Sequence, residues 1–267
     1  SCPVEAGAEF IHGKLPYTSA LLKEAGLDQY RISGNIYQVM NNTWKKENDF
    51  IQRAEELEKQ LRQLKEDIPL QDFLAEHFPG KKNAAYRKAV TRFAGGYDAA
   101  DTSRFSSLAF KNELINEDER EYRLTNGYTS LVQFLWNVCE KKGVILRLNT
   151  VAAMIRWKKD PVEIVTTNNQ VFTAKQVIIT IPLGVWQARK GSKGSVSFIP
   201  ELKEKTRAAK QLGYGGVIKI SMQFDEVFWK QKAHRIGFIL SDEIIPTWWT
   251  QEPDKHPMLN GWVAGPA

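Results

Sequence analysis

The spacing of apolar residues predicts several helices, the clearest of them between residues 49 and 68. Apolar side chains recur there every three or four positions, as on one face of an amphipathic α-helix. The repeat consists of Phe50, Ala54, Leu57, Leu61, Leu64 and Ile68. Asp49 can cap the start of this helix, and Pro69 ends it. Other helices are predicted over residues 16–25, 70–77, 84–93, 127–142 and 201–212, and the Gly95-Gly96 pair is expected to break the helical pattern.

The second half of the chain has short β-rich segments separated by turn residues. These predicted strands cover residues 144–148, 151–157, 162–166, 170–173 and 177–181. The middle three suit a β-meander, and the last is apolar throughout, as in a strand buried on both faces. Later strands are predicted near residues 236–240, 247–251 and 259–263. The change from helical to strand periodicity and back predicts a chain that crosses between two lobes more than once.

One further predicted strand, over residues 215–224, carries a lysine inside it. Its apolar positions are Ile218, Ile220, Met222 and Phe224, and its polar positions are Lys219, Ser221 and Gln223. A lysine in a strand is usually a solvated surface charge. It can also face a cleft, where its charge holds a water or polarises a reacting group. The alternation alone leaves both interpretations open.

Composition and charge exclude several classes of protein. Of the 267 residues, 42% are hydrophobic and 25% are charged, as in an ordinary folded protein rather than a disordered one. The longest apolar run is shorter than a membrane span, and the first residues show no leader pattern, so no membrane association is expected. The basic residues behind the net charge of +6 are dispersed in short pairs. A nucleic-acid partner is therefore not expected.

Motifs for metal or nucleotide chemistry are not found. Cys2 and Cys139 make neither a disulfide framework nor a metal site, which favours a reducing, cytoplasmic compartment. The four histidines lack metal-ligand spacing, so no metal is predicted. The sequence contains no G-x-G-x-x-G fingerprint, no P-loop and no nucleophile elbow.

Four motifs occur in a fixed order along most of the chain. They are EAGAEFIHG at residues 5–13, the stretch 126–151, VIITIPLGV at 177–185, and FIPEL at 198–202 followed by Lys219 and Phe228-Trp229. Together they resemble the FAD-dependent amine oxidases, the family of polyamine, monoamine and histone-demethylating oxidases. That family also has a glycine-rich dinucleotide-binding unit and a C-terminal flavin-binding segment. Neither is found here, so the resemblance implies the central part of such an oxidase.

The resemblance implies roles for particular residues. Lys219 would hold a water against the reactive nitrogen of the flavin, and His12 would bond the amine or keep it neutral. A lone histidine is otherwise more often structural. Small Gly7 and Ala8 suit the close approach of backbone to a flat cofactor. The other positions implied to contact FAD are Phe10, Ile11, Val151 and Pro182.

Trp248 and Trp249 are candidates for an aromatic wall against a substrate cation. The simpler interpretation of two adjacent strand residues is that one is core and the other surface.

The resemblance also implies an α+β fold, the remnant of an α/β-type flavoprotein. Residues 1–25 and 122–190 would form a partial FAD-binding lobe containing the β-meander. Residues 26–121 and 191–267 would form a substrate-binding lobe of helices and mixed sheet. Such an enzyme moves a hydride from a primary or secondary, polyamine-like amine to FAD, and oxygen then gives hydrogen peroxide.

Two expectations follow for the chain by itself. Without the missing parts of its own fold it is expected to be inactive and to bind FAD weakly or not at all, because the pyrophosphate cradle is lacking. The alternative interpretation is a non-catalytic module that binds a protein partner through the amphipathic helix at 49–68.

Overall fold

The computed structural model describes residues 4–116 and 120–266, and the chain divides into two compact units. The first unit comprises Ser1–Val138 and Gly215–Ala267, and the second comprises Cys139–Tyr214. The bounds of these units differ from those of the predicted lobes. The assignment of the lobes to cofactor and to substrate stays a prediction.

The described residues contain both helices and strands throughout the chain. The α-helices are α1 (Pro16–Ala25), α2 (Ala54–Gln63), α3 (Leu70–His77), α4 (Ala84–Tyr97), α5 (Ser107–Asn116), α6 (Tyr128–Lys141), α7 (Leu183–Gln187) and α8 (Lys203–Gln211). The strands are β1 (Ile11–His12), β2 (Gln29–Arg31), β3 (Asn35–Met40), β4 (Thr43–Glu47), β5 (Glu121–Leu124), β6 (Ala152–Arg156), β7 (Val162–Thr166), β8 (Val171–Ala174), β9 (Ser197–Ile199), β10 (Gly215–Gln223), β11 (Ile236–Ser241), β12 (Thr247–Trp249) and β13 (Met258–Pro266). The predicted α+β class is confirmed. None of these described helices is long and apolar enough to cross a bilayer.

The described part of the first unit contains two sheets, and each combines strands from distant parts of the sequence. The larger sheet has the order β10-β13-β12-β11-β3-β4, and β11 and β3 are its parallel pair. The smaller has the order β1-β5-β2, with His12 directly opposite Glu121. The lysine strand β10 pairs with β13 along its whole length and lies at the edge of the larger sheet. Residues that are far apart in sequence therefore share one layer.

Helices α2 to α5 pack around the largest core of the first unit. Leu57 and Leu61 on α2 are completely buried there, together with Phe73, Leu74, Val90 and Phe110. This burial uses the apolar face of the amphipathic helix. The apolar face of that helix is therefore not free to bind a protein partner.

Helix α2 is shorter than its apolar repeat predicts. It begins at Ala54 rather than near Asp49, because Arg53 adopts a left-handed backbone conformation with φ 58°. The Asp49 carboxylate accepts a hydrogen bond from the neighbouring Phe50 N–H and caps no helix. Leu64 and Ile68 of the repeat still pack against the core from outside the helix. The apolar spacing thus predicted burial correctly and helical hydrogen bonding only in part.

The prediction of a break at Gly95-Gly96 is wrong, since α4 continues through both glycines to Tyr97. A glycine costs a helix only about 1 kcal/mol relative to alanine. Packing offsets that cost here: Ala94 is buried in the core, and the Tyr97 ring stacks on Phe93 with centroids 5.4 Å apart. The Trp262 indole also donates a 2.7 Å hydrogen bond to the Gly96 carbonyl.

The second unit is built on a four-stranded sheet of order β8-β7-β6-β9. Its first three strands form the predicted antiparallel meander. The strands predicted at 144–148 and 177–181 are wrong, because no described residue pairs with either segment. The prediction that 177–181 is buried on both faces also fails, since Ile178 is 91% exposed. An apolar run indicates that a segment favours burial, but burial also needs a neighbouring strand.

Candidate functional site

A buried carboxylate, Glu9, lies at the centre of a polar cluster in the first unit. Its Oε2 atom is 2.7 Å from Nζ of Lys219, and its Oε1 atom is 2.9 Å from Nη2 of Arg123. All three side chains are more than nine-tenths buried. One carboxylate thus faces two cations in a water-poor setting, where charge interactions are strong and unpaired charges are costly.

The remaining donors around Glu9 come from the larger sheet. The Trp249 indole donates to Oε1 at 3.1 Å, and the Asn260 amide donates to Oε2 at 3.2 Å. Arg123 also donates to the Thr250 carbonyl at 3.1 Å and lies 4.9 Å from the centre of the Phe10 ring. The segment before β1 is therefore fixed to β10, β12, β13 and β5 through a single side chain.

Lys219 uses its three ammonium hydrogens within the protein. Besides Glu9, it donates to the Glu5 carbonyl at 2.7 Å and to the Gly7 carbonyl at 3.3 Å. A water-holding lysine needs one of these donors, and the contact with Gly7 is the longest of the three. The neighbouring Ile218 is 61% exposed, so the lysine faces inward and the apolar side of β10 faces outward.

Glu5 holds the same segment at a second point. Its carboxylate accepts a 2.6 Å hydrogen bond from the Tyr128 N–H at the start of α6, where unpaired N–H groups favour an anion. The Tyr128 hydroxyl in turn donates to the Phe10 carbonyl at 3.0 Å. Burial raises the pKa of Tyr128, and the negative charge of Glu5 adds to this effect. The tyrosine therefore stays a neutral donor at ordinary pH.

His12 occupies the end of this segment and is exposed. Its Nδ1 atom is 3.1 Å from Oε1 of Glu121 and 3.2 Å from the Tyr97 hydroxyl. Its ring makes edge-on contacts with Phe10 and Tyr97, at centroid distances of 6.0 and 5.7 Å. The ring is therefore oriented both by hydrogen bonds and by aromatic neighbours.

Six aromatic side chains of the first unit form a closed series of contacts, which we call the aromatic cluster. In order of contact its members are Phe10, Phe238, Phe50, Phe93, Tyr97 and His12, which returns to Phe10. None of the six is fully buried. Half-buried aromatic rings bind cations through their negative faces and bind alkyl chains by apolar contact. The aromatic cluster is thus suited to a ligand with both features.

Apart from Phe10, which belongs to the aromatic cluster, the residues implied to contact FAD fall into three groups. Gly7 and Ala8 are exposed, and no atom lies within 4 Å of a Cβ built on Gly7, so the backbone there is open to a flat ligand. The Ile11 side chain is buried beside Leu22, so this residue would meet a flavin through its backbone only. Val151 and Pro182 are exposed residues of the second unit.

The backbone at Gly7 and Ala8, with Lys219 below it, therefore fits the ring system of a flavin. The sequence supplies no glycine fingerprint for the pyrophosphate. Among the described residues, no group of acidic, histidine and cysteine side chains is placed to hold a metal ion.

Trp248 and Trp249 do not form a common aromatic wall, because adjacent strand residues face opposite sides of a sheet. Trp248 packs with the core formed by Tyr37, Trp229, Ile236 and Leu259. Trp249 is buried on the other side, where its ring lies 5.5 Å from Nζ of Lys219 and 5.4 Å from Phe10. Both tryptophans therefore pack inside the first unit, on opposite sides of the sheet, and neither is a plain surface residue. The cation beside Trp249 is the protein's own lysine.

Glu9, Arg123 and Tyr97 were not singled out from the sequence, and the position of Glu121 beside His12 was not predicted. Glu9 stands between small and apolar residues in AGAEFI, and Arg123 stands between Tyr122 and Leu124 in a strand. A charge within an apolar stretch is the signal for a buried, paired residue. Tyr97 and Glu121 carry no comparable signal, since their roles depend on contacts with His12.

Comparisons with known proteins identify the family of this chain. Residues 1–267 match the family described as flavin containing amine oxidoreductase. Polyamine oxidase 4 of Oryza sativa subsp. japonica is 28% identical over 85% of this chain and 50% of its own length. Lysine-specific histone demethylase 2 of Homo sapiens is 29% identical over 54% of this chain and 17% of its own length.

Solved structures confirm the fold. Cyclohexylamine oxidase from Brevibacterium oxydans IH-35A superposes with a TM-score of 0.72 at 14% identity, covering 98% of this chain and 64% of its own. A putrescine oxidase double mutant gives a TM-score of 0.71 at 14% identity, over 98% of this chain and 65% of its own. The chain spans at most about half the length of the two curated relatives above.

Proposed function

The chain belongs to the flavin-containing amine oxidoreductases, and we propose that it carries the amine-binding and lysine-bearing part of an FAD-dependent oxidase of polyamine-like amines. The observation that carries this proposal is that Trp249 links the aromatic cluster to the lysine. Phe10 belongs to the aromatic cluster and touches Trp249, and Trp249 lies against Lys219. A surface suited to an alkylammonium ion thus lies near Lys219, which donates to the Gly7 carbonyl in a segment of accessible backbone.

The residues of this chain would bind and orient the substrate. The aromatic faces of Phe10 and Tyr97 would attract an alkylammonium group, each such contact contributing about 0.5–2 kcal/mol. The Glu121 carboxylate adds an opposite charge beside them. Lys219 would turn the donor that now contacts Gly7 toward a water molecule.

The open backbone at Gly7 and Ala8 would hold the ring system of FAD, which would supply the two-electron oxidation of the amine to an imine. Water would hydrolyse the imine to an aldehyde, and oxygen would take up the two electrons as hydrogen peroxide. The protein supplies position, charge and the exclusion of water around this chemistry.

A polyamine-like substrate is supported by the relatives. Polyamine oxidase 4 aligns over most of this chain, and structures of putrescine and cyclohexylamine oxidases share the fold. An aliphatic chain with ammonium groups also suits a cluster in which four phenylalanine rings adjoin the Tyr97 hydroxyl and the His12 ring.

The second unit supports the proposal that further parts of the family fold cover this chain in an active enzyme. Its exposed apolar side chains include Val144, Ile145, Leu148, Val151 and Ile178. Large exposed apolar patches mark surfaces that another segment or protein covers. We accordingly expect the chain by itself to be inactive.

Titration with FAD, followed by quenching of flavin fluorescence, tests the expected weak binding by this chain. Micromolar or weaker binding is expected, and submicromolar binding would contradict it. The function itself is tested on the flavin-loaded full-length protein by measuring peroxide release with spermine, with putrescine and with a methylated-lysine peptide. Turnover of the polyamines above the peptide is the expected result, and no turnover of any amine would overturn the proposal.

A further inference from the structure

We propose that Glu121 is a positioning residue that fixes the tautomer of His12 and so prepares its Nε2 atom to take a proton from the amine substrate. This inference rests on the proposed function, because it assigns a task within that same site.

The backbone holds the two side chains face to face. Glu121 lies opposite His12 in the pairing of β1 with β5, and β5 is the central strand of its sheet. The Gly13 N–H donates to the Arg120 carbonyl at 2.8 Å, and the Ile32 N–H donates to the Glu121 carbonyl at 2.9 Å. Glu121 is thus fixed from both edges, and its Oε1 atom stays 3.1 Å from Nδ1 of His12.

The two polar neighbours of Nδ1 favour opposite tautomers. A carboxylate only accepts hydrogen bonds, so Glu121 favours a hydrogen on Nδ1. The Tyr97 hydroxyl, 3.2 Å from the same atom, could instead donate to an unprotonated Nδ1. A hydrogen bond to an ionised group is about twice as strong as one between neutral groups. We therefore infer that Glu121 decides the tautomer and that neutral His12 carries its hydrogen on Nδ1.

This tautomer leaves a lone pair on Nε2. No residue in the described ranges 4–116 and 120–266 forms a hydrogen bond with that nitrogen. A protonated amine has no lone pair to assist hydride loss from the adjacent carbon. Transfer of one N–H proton to Nε2 leaves the bonding electrons on the amine nitrogen and makes His12 an imidazolium ion. Glu121 then stabilises this cation.

Nitrogen NMR tests the tautomer without any cofactor. The chemical shifts of the His12 ring nitrogens distinguish a protonated from an unprotonated atom. We expect hydrogen on Nδ1 in the wild type and a shift toward hydrogen on Nε2 in Glu121→Gln. Tyr97→Phe should keep the wild-type tautomer, and His77, His234 and His256 should be unchanged in the same spectra. Hydrogen on Nε2 in the wild type, or no response to Glu121→Gln, would overturn the inference.

Kinetics of the flavin-loaded full-length protein test the consequence. Glu121→Gln should lower kcat/KM for the amine on the order of tenfold and change its dependence on pH, while Glu121→Asp should restore part of the loss. Identical pH profiles for the wild type and Glu121→Gln would also overturn the inference. If the wild type oxidises no amine, the proposed function fails, and this inference about proton transfer fails with it even if the NMR result stands. An inverted tautomer in an active oxidase would overturn the inference alone.

Discussion

The two units contain the same trio of side chains in different settings. In the first unit Glu9 pairs with Lys219 at 2.7 Å and with Arg123 at 2.9 Å. In the second unit Glu163 pairs with Lys159 at 2.8 Å and with Arg156 at 2.9 Å. The side chains of the first trio are 4–8% exposed, whereas those of the second are 21–58% exposed. The two trios have the same residue types and nearly the same nitrogen–oxygen distances, and they differ in how far their side chains are exposed to water.

The difference shows what burial adds to a salt bridge. Around Glu163, water competes for every charge, so losing a partner costs little. Around Glu9, a charge that loses its partner stays in a medium that solvates it poorly. The two trios also differ in their origin along the chain. Lys159 is four residues from Glu163, whereas Lys219 is 210 residues from Glu9. The exposed trio stabilises one hairpin, and the buried trio joins the two ends of the first unit.

The largest effect is expected from Glu9→Gln. The change removes the carboxylate that Lys219 and Arg123 share and keeps the size of the side chain. Removing one partner of a buried ion pair costs about 3–5 kcal/mol. The free energy of unfolding, measured with urea, should fall by this amount.

Glu163→Gln is the matched control for that experiment. It should change the unfolding free energy far less, because its partners stay hydrated. Equal effects of the two substitutions would show that burial does not separate the trios.

Sequence patterns predicted the strand that carries Lys219 but not the direction of its side chains. The alternation in residues 215–224 left the direction of Lys219 open, and in the structure Ile218 is 61% exposed while the Lys219 side chain is buried. The pattern rule assumes that a core lies on the apolar side of a strand. Here Lys219 is buried because it pairs with Glu9, which is 210 residues away in sequence. The residues around Lys219 in the sequence give no signal for that pair.

Elements whose signals come from residues adjacent in the sequence were predicted well. Helix α3 has its predicted bounds, because its spacing and the preceding proline act locally. The hairpin of β3 and β4 had a local signal that was not used. Asn41 and Asn42 both have left-handed φ angles, of 49° and 61°, and this pair is typical of a two-residue hairpin turn. The site residue Glu121 could not be predicted, because it requires the pairing of β1 with β5.

Lys219→Met sharpens the comparison by removing a cation instead of the carboxylate. Glu9 would keep Arg123, but the Glu5 and Gly7 carbonyls would lose their donor, at a cost of about 2–3 kcal/mol in unfolding free energy. The flavin-loaded full-length protein should also lose most of its amine turnover, by at least about tenfold in kcat. Lys159→Met in the exposed trio should change neither quantity appreciably. A Lys219→Met enzyme with unchanged turnover would remove the proposed role of this lysine.

The same contrast between buried and exposed groups applies to two tyrosines of the first unit. Burial raises the pKa of Tyr86 to about 12, against the opposing effect of the Arg53 charge. A raised pKa means that the folded state holds the proton more tightly than the unfolded state. This contribution, about 3 kcal/mol, is present below pH 10 and is lost as the pH rises toward 12. Tyr86→Phe should remove that loss in unfolding experiments from pH 9 to 12. Tyr17→Phe, at an 87% exposed position, should leave the curve of the wild type unchanged.

The smallest effect is expected at the exposed trio itself, and its sign is fixed by the charges. Hydrogen bonds from Lys159 and then Arg156 lower the pKa of Glu163. The trio therefore stabilises the hairpin above the pKa of an unfolded glutamate and ceases to do so as the pH falls through the folded value. The wild type should unfold at a slightly higher temperature than Glu163→Gln at neutral pH. The difference should vanish at pH 2 and also in 1 M NaCl, where charges on the surface are screened. A difference that persists in high salt would mean that these charges are less hydrated than the exposure of their side chains indicates. The exposed trio would then resemble the buried trio in its energetics.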